Sequence, residues 1–245
     1  MSSSPFYVVI PARLGSSRLP RKPLADIAGK PMVVRVAEQA KKSNALRVVV
    51  AADSEEIISV CKTHQIDALL TKAEHTTGTD RIAEVVQILE LDDDAIIVNV
   101  QGDEPLIPVN LINQVAQTLI EQRYCSIATV AVSIQDTSEL NNPNVVKVVL
   151  NKANEAQYFS RSVIPFNRDS LASINYLRHL GIYAYRANFL KLYNKISPSP
   201  LEISESLEQL RALWHGYRIA VIQSAEIPPA GVDTPEDLER VRSNF

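Results

Sequence analysis

The chain has 245 residues, 46% hydrophobic and 22% charged, an ordinary globular balance with enough apolar material for a sizeable core. Its formal net charge of −3 argues against general affinity for nucleic acid, and no apolar run approaches the ~20 residues needed to span a bilayer. The opening Met1-Ser-Ser-Ser-Pro5 has no cationic segment or cleavage site, and Cys61 and Cys125 lack CxxC spacing, so a cytoplasmic protein with reduced thiols is expected.

In chain order, Phe6–Ile10 is an apolar run that reads as a buried first strand. Pro31 opens a helix through Lys42, a position where proline is tolerated. Leu46–Ala52 reads as a second buried strand, and Ser54-Glu-Glu starts a helix with an N-cap and an acidic first turn. A short strand over Asp67–Leu70, a helix over Thr79–Leu91, an apolar strand over Ala95–Val100 and a helix from about Val109 to Gln122 follow. Alternation of this kind predicts an α/β fold with a mostly parallel sheet and right-handed crossovers.

The second half reads differently. Ser126–Ser133, Val145–Leu150 and Tyr176–Arg186 are strand-like but separated by Asn-, Pro- and Ser-rich loops, which predicts antiparallel additions forming one wall of a site. Helices are expected over Ala187–Lys195 and Leu201–Trp214, then a strand over Arg218–Gln223. Thr234-Pro-Glu-Asp starts the last helix. Nothing in the composition cuts the chain, so one domain over 1–245 is expected, with about 126–200 as an insertion.

The most informative stretch is Pro11-Ala-Arg-Leu-Gly-Ser-Ser-Arg-Leu-Pro-Arg-Lys-Pro-Leu24, directly after the first strand. Backbone N–H groups around Gly15-Ser16-Ser17 can point at phosphate oxygens while Arg13, Arg18, Arg21 and Lys22 neutralise them. Ligands of open α/β sheets bind at the carboxyl ends of the strands, where this loop lies, so a phosphate site is preferred over a solvated basic loop.

Gln101-Gly-Asp103-Glu-Pro105 follows directly on the apolar strand Ala95–Val100. Asp103 is a candidate ligand for a divalent cation, because Pro105 and Pro108 place the next helix too late for it to serve as the cap. Glu104 is expected to face solvent. Asp233, in Gly231-Val-Asp-Thr-Pro235, reads as an ordinary turn aspartate by itself and as a second metal ligand when paired with Asp103. His75-Thr-Thr-Gly-Thr-Asp-Arg81 offers Gly78 and Thr79 for close backbone approach and Arg81 for a base or phosphate, whereas Asp80 reads as surface charge. In Arg178-His-Leu-Gly-Ile-Tyr183 alternation puts His179, Gly181 and Tyr183 on one face, a ligand wall in preference to a half-buried histidine. Glu208 and Arg211 are three apart and would otherwise be a weak helical surface pair.

Taken in order, the basic loop, QGDEP, NPNVVKVV (142–149), YFSRSVIPF (158–166), RHLGIYAY (178–185), LEQLRAL (207–213) and GVDTPEDLERVR (231–242) resemble the 3-deoxy-manno-octulosonate cytidylyltransferases, or CMP-KDO synthetases. The resemblance runs over about residues 6 to 243. It implies a Rossmann-like nucleotidyltransferase fold with helices on both faces of the sheet, a homodimer, and transfer of CMP from CTP to KDO with Mg²⁺ for lipopolysaccharide synthesis. On that template Arg13 and Lys22 grip the CTP phosphates, backbone near Ala12, Gly78 and Thr79 reads cytosine, and Asp103 and Asp233 hold Mg²⁺. Gln101, Arg161, His179, Tyr183, Glu208 and Gln209 would line the sugar pocket. Three positions depart from the pattern: Arg21 where the family often has Gly, Asp80 where Glu is commoner, and the run Ile203-Ser-Glu-Ser206. The last keeps an 8-amino analogue of KDO as an alternative acceptor.

Rival classes fare worse. A dinucleotide-dependent dehydrogenase needs GxGxxG after the first strand, and a P-loop kinase needs GxxxxGK[ST]; neither is present. A glycosyltransferase using Asp92-Asp93-Asp94 would have its acids before a strand, at the wrong end of the sheet. A sugar- or nucleotide-binding protein without transfer activity would have no need for two metal carboxylates.

Overall fold

A strand that is apolar on both faces must be covered on both, and this chain has several such strands. The computed structural model describes residues 5–16, 18–168 and 174–245. In chain order the elements are β1 (Phe6–Ala12), the two-residue strands β2 (Asp26–Ile27) and β3 (Lys30–Pro31), α1 (Met32–Ala40), β4 (Arg47–Ala52), α2 (Glu55–Thr63) and β5 (Ala68–Leu70). Next come α3 (Gly78–Ile88), β6 (Ile96–Asn99), α4 (Val109–Glu121), β7 (Ile127–Ser133), β8 (Lys147–Leu150), β9 (Ala156–Ser160) and β10 (Leu177–Arg186). The chain closes with α5 (Ala187–Tyr193), α6 (Pro200–Glu205), α7 (Gln209–Trp214), β11 (Ile219–Ser224) and α8 (Pro235–Arg242).

The main sheet runs β11-β7-β10-β6-β1-β4-β5. Pairings β6-β1, β1-β4, β4-β5 and β11-β7 are parallel, whereas β10 is antiparallel to both β6 and β7. β8 and β9 extend the sheet antiparallel beyond the Leu177 end of β10. The expected mostly parallel sheet with antiparallel additions is therefore found, and β9 is a further strand within the stretch between 150 and 176 expected to be loop.

Strand alternation divides the core in two. Val8 and Ile10 of β1 pack with Met32, Ile57 and Leu111 from the helices α1, α2 and α4 on one face. Val9 packs with Ile82, Phe189 and Leu210 from α3, α5 and α7 on the other. Fully burying each of these side chains contributes roughly 1.5–3 kcal/mol, which far exceeds the propensity differences that govern isolated helices.

Helix starts follow the expected chemistry. Ser54, Thr77 and Thr234 accept hydrogen bonds from the N–H groups of Ile57, Asp80 and Asp237, which starts α2, α3 and α8. The helix expected over Leu201–Trp214 is instead two. Ser206 takes a left-handed conformation (φ 52°) that ends α6, and α7 starts afresh at Gln209.

Candidate active site

Because β1 and β6 are parallel neighbours, the loops at their carboxyl ends leave side by side. Gly102 lies where one chain crosses the other: a Cβ there would sit 2.7 Å from the Pro11 carbonyl oxygen, so only glycine fits. This close approach sets Asp103 against the basic loop. The segment carrying Asp233 is then stitched on, with the Val232 N–H donating to the Asp103 carbonyl at 2.8 Å. A Cβ on Gly231 would crowd that same oxygen at 3.2 Å.

Lys22 enters from the third direction. Arg21 is left-handed (φ 58°, ψ 31°) and feeds a 3-10 turn over Lys22–Leu24. That backbone explains why glycine suits position 21, and the Arg21 side chain is anchored on Glu56. The Lys22 ammonium donates to Asp103 Oδ2 at 2.5 Å, Asp233 Oδ1 at 3.0 Å and the Val232 carbonyl at 3.0 Å. Arg18 adds a second cation on Asp233, also at 3.0 Å. Residues 22, 103 and 233 thus meet at one point although they lie far apart in the chain.

A cavity of about 450 Å³ opens at this point. Ala12, Arg13, Gly15, Ser16, Lys22, Gly78, Arg81, Gln101 and Asp103 all line it, together with His75 and the start of α3. Ser17 lies outside the described residues. The cavity therefore combines a helix N-terminus with loop backbone and several cations, the requirements of a polyphosphate site. Arg81 is nearly buried at 3% exposure and donates to the Thr71 hydroxyl and the Lys72 carbonyl, so it forms cavity wall more than free cation. Burial pulls its pKa down, while Asp53 and Glu84 oppose that effect.

A second cavity of about 250 Å³ adjoins the first, and Gly78, Gln101 and Glu208 line both. Its wall carries Thr79, Asn99, Tyr183, Tyr185, Tyr193 and Gln209. The Tyr183 and Tyr185 rings stack at 5.7 Å and Tyr185 stacks on Phe189 at 6.2 Å, giving a rigid aromatic floor. Glu208 Oε2 accepts from the Thr79 hydroxyl at 3.0 Å and the Tyr193 hydroxyl at 3.4 Å. Partial desolvation raises the Glu208 pKa, and the Thr79 hydrogen bond works against the rise. Among the described residues, no lysine or arginine lines this second cavity.

The structure departs from the sequence reading at several residues. Arg161 lines neither cavity. Its guanidinium donates to the carbonyls of Glu205 (2.7 Å), Pro143 (2.8 Å) and Ser206 (3.4 Å), tying β9 to the α6–α7 elbow. His179 is also set back from both cavities, between Phe159 and Tyr183 at 5.0 and 5.3 Å. The Thr129 hydroxyl spends its one hydrogen on the Ile182 carbonyl at 2.7 Å, which leaves His179 Nε2–H as the donor to Thr129 at 2.9 Å. Burial lowers the His179 pKa to about 3. Glu104 is half-buried instead of fully exposed: desolvation, helped by neighbouring Asp103, pushes its pKa up to about 8. Of the atypical run 203–206, Ile203 is 70% exposed and Glu205 is bonded to Ser160 and Arg161, so only Ser206 lines the smaller cavity.

Asn99, Tyr185 and Tyr193 were not anticipated as site residues. Asn99 had a visible signal, a lone amide within the apolar Ile96-Ile-Val-Asn-Val100 run. The two tyrosines had none, since aromatic residues at such positions read equally well as core.

Known proteins supply an independent test. A cytidylyltransferase family model matches residues 7–219. A 3-deoxy-manno-octulosonate cytidylyltransferase of Polynucleobacter necessarius subsp. necessarius (strain STIR1) is 67% identical over 97% of this chain and 94% of its own. One from Neisseria meningitidis serogroup A / serotype 4A is 56% identical, with 98% of each chain covered. Among solved structures, CMP:2-keto-3-deoxy-manno-octonic acid synthetase complexed with CTP superposes with a TM-score of 0.92 at 40% identity, covering 98% of both chains. The match in sequence, in fold and over the full span of the site segments leads to one conclusion: the chain belongs to the 3-deoxy-manno-octulosonate cytidylyltransferase family.

Proposed function

We propose that this protein is the cytidylyltransferase that joins CTP and KDO to give CMP-KDO and diphosphate, the activation step for lipopolysaccharide synthesis. The observation that carries this reading is the meeting of Lys22, Asp103 and Asp233 at the larger, cationic cavity, which Lys22 and Asp103 line and which adjoins a smaller one lined by amides and hydroxyls. The reaction needs the anomeric hydroxyl of the sugar to attack the α-phosphorus in line with the departing diphosphate.

Arg13, Lys22 and the N–H groups at the start of α3 bind the triphosphate in the larger cavity, while backbone around Ala12, Gly78 and Thr79 faces the base. The acceptor lies in the smaller cavity. Its reacting carbon, C2, also bears the carboxylate, so that group must sit at the shared border, near the cations of the nucleotide side. The polyhydroxyl tail then points toward Tyr183, Glu208 and Gln209, whose hydroxyl, carboxyl and amide groups can pair with hydroxyls without a cation. This arrangement accounts for a sugar cavity without lysine or arginine. Catalysis by these residues is positioning and charge neutralisation: Lys22 balances charge on the non-bridging and leaving oxygens.

Asp103 and Asp233 fit a divalent ion. Their oxygens, 2.5 and 3.0 Å from one ammonium nitrogen, already converge on a single cationic point. Among the described residues no group of three or more His, Cys, Asp or Glu forms a complete cage. Two carboxylates completed by substrate phosphates is the usual way Mg²⁺ is held. Bound there, Mg²⁺ would supply Lewis-acid charge to the triphosphate.

Two further features belong to the same reading: a homodimer using the 126–200 region, which the resemblance implies, and a cytoplasmic location, which the composition leads one to expect. No helix among the described residues is long and apolar enough to cross a membrane. The test is diphosphate release with each of the four nucleoside triphosphates against KDO, its 8-amino analogue and sialic acid. Release confined to CTP with KDO is expected. Absence of release with every acid sugar would leave a binding protein and overturn the proposal.

A further inference from the structure

Asn99 is a polar residue where the fold asks for none. It ends β6, whose preceding residues Ile96, Ile97 and Val98 are all buried and apolar, and it pairs through its backbone with Tyr183 of β10. Being two residues from Ile97, it shares that residue's face of the sheet and points into the smaller cavity, which it lines. It is 3% exposed.

The Asn99 side-chain carbonyl oxygen Oδ1 is buried and has no hydrogen-bond partner. Only one other atom among the described residues shares this condition, the Gln209 amide nitrogen Nε2, and Gln209 is 8% exposed and lines the same cavity. Buried polar groups in folded proteins are nearly always paired, so two exceptions in one cavity, one an acceptor and one a donor, require a common reason. Packing does not supply it. A leucine or valine at 99 would continue the apolar run without stranding a carbonyl.

We propose that Asn99 is a specificity-determining residue: its Oδ1 accepts a hydrogen bond from one hydroxyl of the acceptor sugar's tail, across the cavity from Gln209, which the functional reading already places on that sugar. This rests on the reading of the smaller cavity as the sugar site. A site built to pair with a hydroxyl discriminates sharply against an acceptor that lacks it, because the buried acceptor is then left empty-handed. Since the position serves the substrate and not the fold, removing the amide should cost binding and leave stability intact.

The experiment compares the parent protein with Asn99→Leu, using CTP, KDO and a series of KDO analogues each lacking one tail hydroxyl. Diphosphate release gives KM and kcat, and thermal melts give Tm. Asn99→Leu should raise KM for KDO about 10- to 100-fold, leave KM for CTP within about twofold, and melt no lower than the parent. The parent should reject one deoxy analogue by at least about tenfold in kcat/KM, and Asn99→Leu should treat that analogue and KDO alike. Should the leucine variant not fold, Asn99→Ser is the substitute and should show the same confined rise in KM. An unchanged KM for KDO, an equal rise in KM for CTP, or no analogue on which the two losses coincide would overturn the inference. Failure of the parent to use KDO at all is a separate result, and it would refute the functional reading beneath it.

Discussion

The ion pair between Glu202 and Arg211 holds the α6–α7 elbow, and its removal has a calculable cost. Arg211 donates to both Glu202 oxygens, at 2.8 and 2.6 Å, and both side chains are only 11% exposed. The Arg211 guanidinium also lies over the Tyr193 ring at 4.5 Å. Glu202 has a second task, accepting from the Ser199 N–H at 3.2 Å in the capping box that starts α6. Glu202→Ala therefore strands a largely buried guanidinium, a loss of about 3–5 kcal/mol, and forfeits about 1 kcal/mol of capping. For a chain of this size each kcal/mol moves Tm by about 2–4 °C, so calorimetry should record a fall on the order of 10–15 °C. Replacing both partners with apolar residues (Glu202→Leu with Arg211→Met) should recover most of the loss, because no charge is left without a partner. The elbow also carries Ser206, Glu208 and Gln209 into the smaller cavity. KM for KDO should rise in the single variant while KM for CTP holds. A single-variant Tm within about 3 °C of the parent, or a double variant no better than the single, would refute the argument.

Further outcomes follow from other parts of the molecule. Asp103→Asn and Asp233→Asn should each cut turnover by about two to three orders of magnitude with the melting curve in place, and near-normal turnover would remove the residue from the metal site. His179, with its pKa lowered to about 3, should stay neutral from pH 8 to pH 5, so its imidazole NMR shifts should not move, and a midpoint near 6.5 would contradict its enclosure. Between about pH 6.5 and 3 the unfolded chain binds the extra proton, so this histidine's contribution to stability is fully present above that window and declines as pH falls through it. Gly102→Ala forces a Cβ to 2.7 Å from Pro11 O and should cost about 1–3 kcal/mol in denaturant melts. Gly181→Ala, with open space around it, should be close to neutral.

Much of the fold was legible because burial on two faces writes itself into sequence as continuous apolar runs, as in Val48-Val-Val-Ala-Ala52. Helix starts were equally clear where Ser54 and Thr234 announce them. What escaped was decided by tertiary contacts. The break at Ser206 comes from a left-handed serine that carries no propensity signal, and Arg161 is withdrawn from the cavities by three carbonyls from distant segments. In the site, the loop cations and aspartates stood out as charges beside glycine and proline. Tyr185 and Tyr193 did not, because an aromatic side chain lining a cavity and one filling a core look alike in one dimension. Asn99 did leave a trace, as the one amide in an otherwise apolar run.

The position of β10 has a consequence for biosynthesis. Among the described residues this strand, 177–186, is the one link between the β6 and β7 halves of the sheet path, and it is antiparallel to both. Until it leaves the ribosome, β6 presents an open edge and β7 has no neighbour toward the rest of the sheet. The nascent chain must therefore wait for roughly three-quarters of its length before its halves can zip together, so this long-range closure comes late. Truncations short of residue 186 should yield sticky, aggregation-prone fragments instead of a smaller working unit.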